Sequence, residues 1–364
     1  MSALSERRGA KEKRAAGGIK MEEKRIIDSK KAEEIKARFQ QIIVPEDNYA
    51  AVMDDTVLPF LQKRREDRKL AVEYAKSLHI VRYTSDPENP GGAANGTVFI
   101  VHGFTETTEK YRELAYYLLN FGYDVVIFDQ RGHGFSYREV EDMQLTHIDK
   151  FSTYVSDLEA VIASELPQSR KPCFLYAHSM GGAVAGLYLE KNYDQPFAKA
   201  VLSSPMIAPE RGGFPLWVSK AMAGTFIAFG QKKKRLFLSK APEGRESFEE
   251  AASNSAARFE YYQDVKQSAP EYSNNGPSYA WTMESLKVTG KLLKKGEPEK
   301  IRIPVLLFVA DGDTTVVKDD IVKMAERIPS GILERVSNCR HEIYYGPNAV
   351  LEDYIPRLIS FLSE

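Results

Sequence analysis

Cysteine is nearly absent: Cys173 and Cys339 are the only two in 364 residues. Two thiols outside any CxxC pair cannot form a disulfide framework and point to a reducing compartment. No uninterrupted apolar run reaches the ~18 residues of a membrane-spanning helix. The opening MSALSERRGAKEKRAAGGIK is charged throughout and has no apolar stretch of a secretory signal. Cytoplasmic residence is therefore expected. An excess of one charge is also missing, with 50 Lys plus Arg against 51 Asp plus Glu. That balance gives no global reason to expect nucleic acid as a partner. No G-x-G-x-x-G, P-loop or zinc-spaced cluster of His, Cys and carboxylates occurs, so neither a cofactor nor a metal is expected. A hydrophobic share of 43% excludes a wholly disordered chain.

What is present divides into three parts. Residues 1–45 form a charged extension, with twelve basic and seven acidic side chains up to residue 38. Its first twenty residues show no periodicity, and a disordered start is expected there, with Met21 as an alternative initiation site. From Ser29, Ile35, Phe39, Ile42 and Ile43 recur at helical spacing until Pro45. That helix is expected to dock on the body rather than lie on a membrane.

Residues 46–205 and 278–364 alternate strands and helices. Residues 78–83 look like an early edge strand. The runs 97–101, 124–128, 172–176, 200–203 and 304–309 are almost continuously apolar, as strands of a parallel sheet buried on both faces are. Helical periodicity fills 111–120, 154–165, 183–192 and 319–328, and a last strand is expected at 332–337. The alternation predicts a doubly wound, mostly parallel α/β sheet. Residues 206–277 break the rhythm and are expected to form an inserted helical cap.

The chemistry concentrates at Ala177-His178-Ser179-Met180-Gly181-Gly182, between an apolar strand and a helix. A nucleophile elbow needs a serine on a tight strand-to-helix turn with very small residues two positions to either side. Ala177 and Gly181 meet that need, which makes Ser179 the expected nucleophile. The acid and base should follow it in that order, just past later strand ends. Asp311 and Asp313 compete for the acid. Asp313 is preferred because it lies further into the loop, while Asp311 could simply cap the turn. His341 is the only histidine after Ser179, and as base it would take the serine proton. One oxyanion donor is expected from the backbone of Met180 and another from the loop His102-Gly-Phe-Thr-Glu106. His102 and His133 read as structural histidines, His178 as pointing away from the substrate, and His79 and His147 carry no motif.

Together, His102-Gly-Phe104, Phe128-Asp-Gln-Arg-Gly-His-Gly-Phe-Ser136, the serine motif, Asp313 and Arg340-His-Glu342 resemble the α/β-hydrolase superfamily. The likeness is to its monoacylglycerol lipase and bacterial lysophospholipase branch, from about residue 69 onward. Lys110-Tyr-Arg-Glu-Leu-Ala115 and Gly276-Pro-Ser-Tyr-Ala-Trp281 look like the lysophospholipase side. The resemblance implies an α/β-hydrolase fold, a triad of Ser179, Asp313 and His341, and oxyanion N–H donors at Phe104 and Met180. Thr105 departs from it, standing where the family loop usually has glycine.

The expected activity is a serine esterase that cleaves a single-chain lipid ester, a lysophospholipid or monoacylglycerol, through an acyl-enzyme. A small-ester hydrolase, a serine peptidase or a non-catalytic binding module of the same fold are the alternatives. Trp217, Phe226, Tyr279 and Trp281 are candidate pocket residues. The apolar run 214–229, too short to span a bilayer, would pack in the core or line an acyl pocket. With the basic run Lys232 to Arg235 beside it, the cap is a candidate peripheral contact for an anionic membrane.

Overall fold

The computed structural model describes residues 29–86, 94–191, 194–237, 239 and 244–364. The expected disordered start, the alternative start at Met21 and the last residue of the helix expected at 183–192 lie outside them. The body is an eight-stranded sheet. Its strands are β1 (Arg65–Glu73), β2 (Lys76–Tyr83), β3 (Gly96–Val101), β4 (Tyr123–Phe128), β6 (Cys173–His178), β7 (Phe197–Ser203), β9 (Val305–Ala310) and β10 (Gly331–Val336). They lie in the order β1-β2-β4-β3-β6-β7-β9-β10. Only β2 pairs antiparallel, with β1 and β4; the other pairings are parallel. A separate pair joins β5 (Leu145–Thr146) to β8 (Gly276–Pro277).

The apolar runs form the inner strands because each feeds two cores. Along β3, Val98 and Ile100 enter one cluster, and Phe99 and Val101 enter the other. The first cluster is closed by α1 (Ser29–Gln40), α2 (Arg112–Asn120) and α9 (Asn348–Ser363). The second is closed by α3 (Ser152–Glu165), α4 (Met180–Lys191), α7 (Tyr279–Leu292) and α8 (Lys318–Arg327). This is the doubly wound, mostly parallel arrangement.

One expectation needs correction. The strand at 78–83 is not an edge, because β1 lies outside it in register, with Leu70 opposite Leu78. β1 reads poorly in sequence because Arg65, Glu66, Asp67, Arg68 and Lys69 dominate it and it is only half-buried. Charge on an edge strand discourages pairing with another chain.

The N-terminal helix does dock. Phe39 of α1 is fully buried and meets Tyr117 edge-on at 5.0 Å. Between β7 and β9 the chain carries α5 (Leu216–Ala228), α6 (Ala256–Ser268) and α7. Arg258 of α6 is wholly buried and ties three regions together. Its Nε and Nη2 donate to Glu113 at 2.9 and 2.7 Å, and Nη2 also donates to Asn348 Oδ1 at 2.8 Å. Tyr49 and Tyr117 donate to the same Glu113 carboxylate.

A buried carboxylate stripped of its cation is costly. Arg258→Ala is therefore expected to lower unfolding free energy by about 3–5 kcal/mol in chemical denaturation. A loss under ~1 kcal/mol, the scale of an exposed ion pair, would contradict the role given to this arginine.

Candidate active site

Ser179 stands between β6 and α4 with φ of 51°. Such left-handed geometry costs a non-glycine residue about 1–3 kcal/mol, so the surroundings must impose it. They do so through the backbone. The Ser179 N–H donates to the Ser203 carbonyl at 3.1 Å, and its carbonyl accepts from Met206 N at 2.8 Å and Gly182 N at 2.9 Å. Glycine follows for steric reasons. A Cβ on Gly181 would lie 2.1 Å from the Val101 carbonyl oxygen, and one on Gly182 would lie 2.5 Å from Pro205.

His341, in the loop after β10, puts Nε2 2.7 Å from Ser179 Oγ and Nδ1 2.7 Å from Asp313 Oδ2. The other Asp313 oxygen accepts the N–H groups of Thr315 at 2.8 Å and Val316 at 3.2 Å. Burial raises a carboxyl, but the His341 hydrogen bond and charge, with these two N–H donors, hold Asp313 below the ordinary aspartate value. Asp311 is exposed and accepts from Ser337 Oγ at 2.8 Å instead. The side chains of Ser179, Asp313 and His341 are all buried.

The loop after β3 is held by histidines. His102 Nε2 accepts the Gln130 N–H at 2.8 Å, and His133 Nε2 accepts the Thr105 N–H at 3.3 Å. Burial lowers the pKa of both rings, favouring the neutral form that such acceptance requires. Thr105 adopts φ of 58°, which accounts for glycine being usual there, and its hydroxyl donates to the Phe104 carbonyl at 2.7 Å. Met180 opens α4, so its N–H belongs to the first helical turn, whose donors lack intrahelical partners.

Beneath the triad lies a buried ionic cluster that residue spacing did not reveal. Glu106 sits 3.1 Å from His178 Nδ1 and 3.6 Å from Lys110 Nζ, and it accepts from Gly103 N, Tyr111 and Tyr344. Lys110 also meets Glu342 at 2.5 Å. Burial opposes both charges of the central pair, yet Glu106 is held well below its ordinary value by His178 and Lys110. Glu106 in turn raises His178 above the usual histidine value. The His178 ring packs 4.9 Å from that of His341, with Nε2 3.4 Å from the His341 carbonyl oxygen. The signal in the sequence is faint: a histidine before the serine and a glutamate three residues after Gly103.

The four pocket candidates separate. Trp281 packs on Phe104 at 4.1 Å, and Phe226 stacks on Tyr279 at 4.5 Å. Trp217 is 72% exposed, so the structure does not bring it to the site. An apolar helix sequence cannot say which of its faces is covered. The basic run is also largely committed. Lys232 pairs with Asp149 at 2.8 Å and Lys233 donates to the Glu139 carbonyl at 3.0 Å, whereas both terminal nitrogens of Arg235 are buried without a hydrogen-bond partner. Among the described residues, Glu139, His147 and Asp149 bring ligand atoms within 4.8 Å of one another. The Lys232 ammonium already neutralises Asp149 there.

Residues 92–348 match the family described as serine aminopeptidase, S33. The chain is 29% identical over 286 residues to the probable lysophospholipase L2 of Haemophilus influenzae, covering 75% of this chain and 86% of that protein. It is 36% identical over 121 residues to human monoglyceride lipase, covering 32% and 37%. A soluble variant of Saccharomyces cerevisiae monoglyceride lipase, solved with a substrate analogue, superposes with a TM-score of 0.63 at 18% identity, covering 82% and 95%. At that identity the likeness is one of fold.

Two aspartates so near in sequence invite a direct comparison. Asp313→Asn should reduce ester turnover by about 10³-fold or more, as should Ser179→Ala and His341→Ala, because triad members act as a unit. Asp311→Asn should leave turnover within about threefold, the spread usual for a surface change. Purified variants compared by steady-state kinetics check this, and a crippled Asp311→Asn beside a mild Asp313→Asn would reverse the assignment.

Proposed function

From membership of the family described as serine aminopeptidase, S33, to which this chain belongs, we propose a serine hydrolase that cleaves single-chain lipid esters through an acyl-enzyme. The chain is a carboxylic ester hydrolase of the α/β-hydrolase superfamily. The observation that carries the mechanism is the pair of 2.7 Å contacts from His341 to Ser179 Oγ and Asp313. Ser179 Oγ attacks the ester carbonyl while His341 Nε2 takes its proton. Asp313 fixes the tautomer and stabilises the imidazolium. The backbone N–H groups of Phe104 and Met180 receive the developing oxyanion. His341 then protonates the leaving alcohol, and water releases the fatty acid by the same steps in reverse roles.

The substrate reading, a lysophospholipid or monoacylglycerol, is supported by the names of the relatives and by the aromatic pairs Phe104–Trp281 and Phe226–Tyr279. Residues 206–277 act as the cap over this site. Within it α5 is almost wholly apolar, yet only Ala223 is buried, and Trp217 and Phe229 stand 72% and 77% exposed. Exposed aromatics on this insertion suit contact with a lipid surface. Because Lys232 and Lys233 are engaged and the Arg235 nitrogens are buried, these aromatics, more than the basic run, would carry that contact. Among the described residues no helix is long and apolar enough to cross a membrane. The family description favours one second reading, an aminopeptidase, since the same triad can cleave amides.

A fluorophosphonate probe should label wild type but not Ser179→Ala. Long-chain lysophospholipid or monoacylglycerol should be turned over far faster than aminoacyl anilides; the reverse order would establish the peptidase. Trp217→Ser with Phe229→Ser should weaken vesicle co-sedimentation by about tenfold or more, since each buried aromatic is worth about 1.5–3 kcal/mol. Undiminished binding in that double variant would remove the membrane contact.

A further inference from the structure

His341, the proposed base, sits in the loop 337–347 between β10 and α9, where the short turn Ile343–Tyr345 is the sole regular element. Loop backbone has no sheet ladder or long helix to fix it. A base must nevertheless be placed closely, since a misplacement of about 1 Å can cost about 100-fold in rate.

Much of what holds this loop comes from residues 248–255 of the insertion. Both chain neighbours of His341 are bonded there. The Arg340 guanidinium donates to the Phe248 and Ala251 carbonyls at 3.1 and 3.0 Å, and its backbone N–H donates to Asn254 Oδ1 at 3.4 Å. The Glu342 N–H donates to the Ala252 carbonyl at 3.0 Å. Further along, the Ser253 hydroxyl donates to the Tyr345 carbonyl at 2.6 Å while accepting the Ser255 N–H at 3.1 Å. Ser253 is buried, so water does not stand in for these bonds.

Each of the two segments ends at a helix start. Residues 248–255 run into α6 and 337–347 run into α9, and both helices begin without a side-chain cap of their own. Glu46 meets both starts. One of its carboxylate oxygens accepts the hydroxyl of Ser255, the residue before α6, at 2.6 Å. The other accepts the N–H of Asn348, the first residue of α9, at 2.9 Å. Arg258, in the first turn of α6, adds a guanidinium 3.6 Å away. The N–H groups of a first helical turn lack intrahelical partners and carry the positive end of the helix dipole, so one carboxylate suits both starts. Glu46 opens the short turn after Pro45, ahead of β1, in a part of the chain that holds none of the triad.

We propose that Glu46 is a positioning residue for the reaction. By fixing the starts of α6 and α9, it holds residues 248–255 against the loop of His341 and so keeps Nε2 at Ser179 Oγ. This assignment rests on the serine-hydrolase reading above. It gives the segment ahead of β1 a part in the chemistry without any contact with substrate.

The test uses the full-length enzyme and a fluorophosphonate that labels Ser179. The end point of labelling counts folded sites, and the rate constant per site reads how well His341 activates the serine. A merely structural loss moves the first and not the second. Glu46→Ala should label about tenfold or more slowly per site than wild type, the scale of a small misplacement of the base. In Glu46→Gln the amide oxygen can still accept from Asn348 and the nitrogen can donate to Ser255, so roughly threefold of that loss should return. Arg340→Met cuts the same contact from the His341 side and should also slow labelling. Because both changes act through one contact, the double variant should fall no more than about threefold below the slower single one. Phe39→Ala lies in the same N-terminal region but touches none of these groups, and its rate per site should stay within about threefold of wild type. An undiminished rate in Glu46→Ala, no recovery in Glu46→Gln, losses that multiply in the double variant, or an equal loss in Phe39→Ala would each overturn the proposal. If wild type itself is not labelled, the serine-hydrolase reading fails first and this assignment falls with it.

Discussion

A serine forced into left-handed backbone geometry is the constraint on which the site depends. Ser179 has φ of 51° because β6 must end, and α4 begin, within one residue. The turn closes only where Gly181 presses against the Val101 carbonyl of the neighbouring strand. That contact couples the elbow to β3, and β3 leads directly into the loop that carries Phe104. Ser179 and the loop that carries Phe104 are thus set by one packing contact within the sheet. His341 and Asp313 enter from β10 and β9 on the far side of β7.

Beneath this frame runs a layer of buried charge. Glu106, His178, Lys110 and Glu342 form a chain that starts at the loop after β3 and ends beside His341. Buried ionic groups seldom add net stability against an apolar replacement, but they hold geometry when each charge is met. Here the chain grips the neighbours of two hydrogen-bonded side chains: His178 precedes Ser179, and Glu342 follows His341. It also borders a polar cavity through Lys110 and Glu342.

What could be read in advance follows from how each feature is encoded. Strands buried on two faces write themselves as continuous apolar runs, so β3, β4, β6, β7 and β9 were legible, and the α/β class with them. β1 was not, because a charged, half-buried edge strand has only Leu70 and Val72 to mark an inward face. Ser179 and its small neighbours form a local motif whose steric reason is visible in sequence. Asp313 is preferable to Asp311 on its place further into the loop alone, and the coordinates add the direction of each side chain, which no spacing encodes. Glu106 and His178 lie 72 residues apart, and no spacing rule joins them. Trp217 was grouped with the pocket because composition reports that a helix is apolar and not which face meets the protein.

The proposed reaction passes through a covalent acyl intermediate at Ser179. Mixing enzyme with a long-chain lysophospholipid, quenching in acid within the first turnovers and mapping peptides by mass spectrometry tests it directly. The acyl chain is expected as an ester on the peptide bearing Ser179, and on no other, with the adduct absent in Ser179→Ala. Turnover with no acylated peptide, or acylation elsewhere that persists in Ser179→Ala, would contradict it.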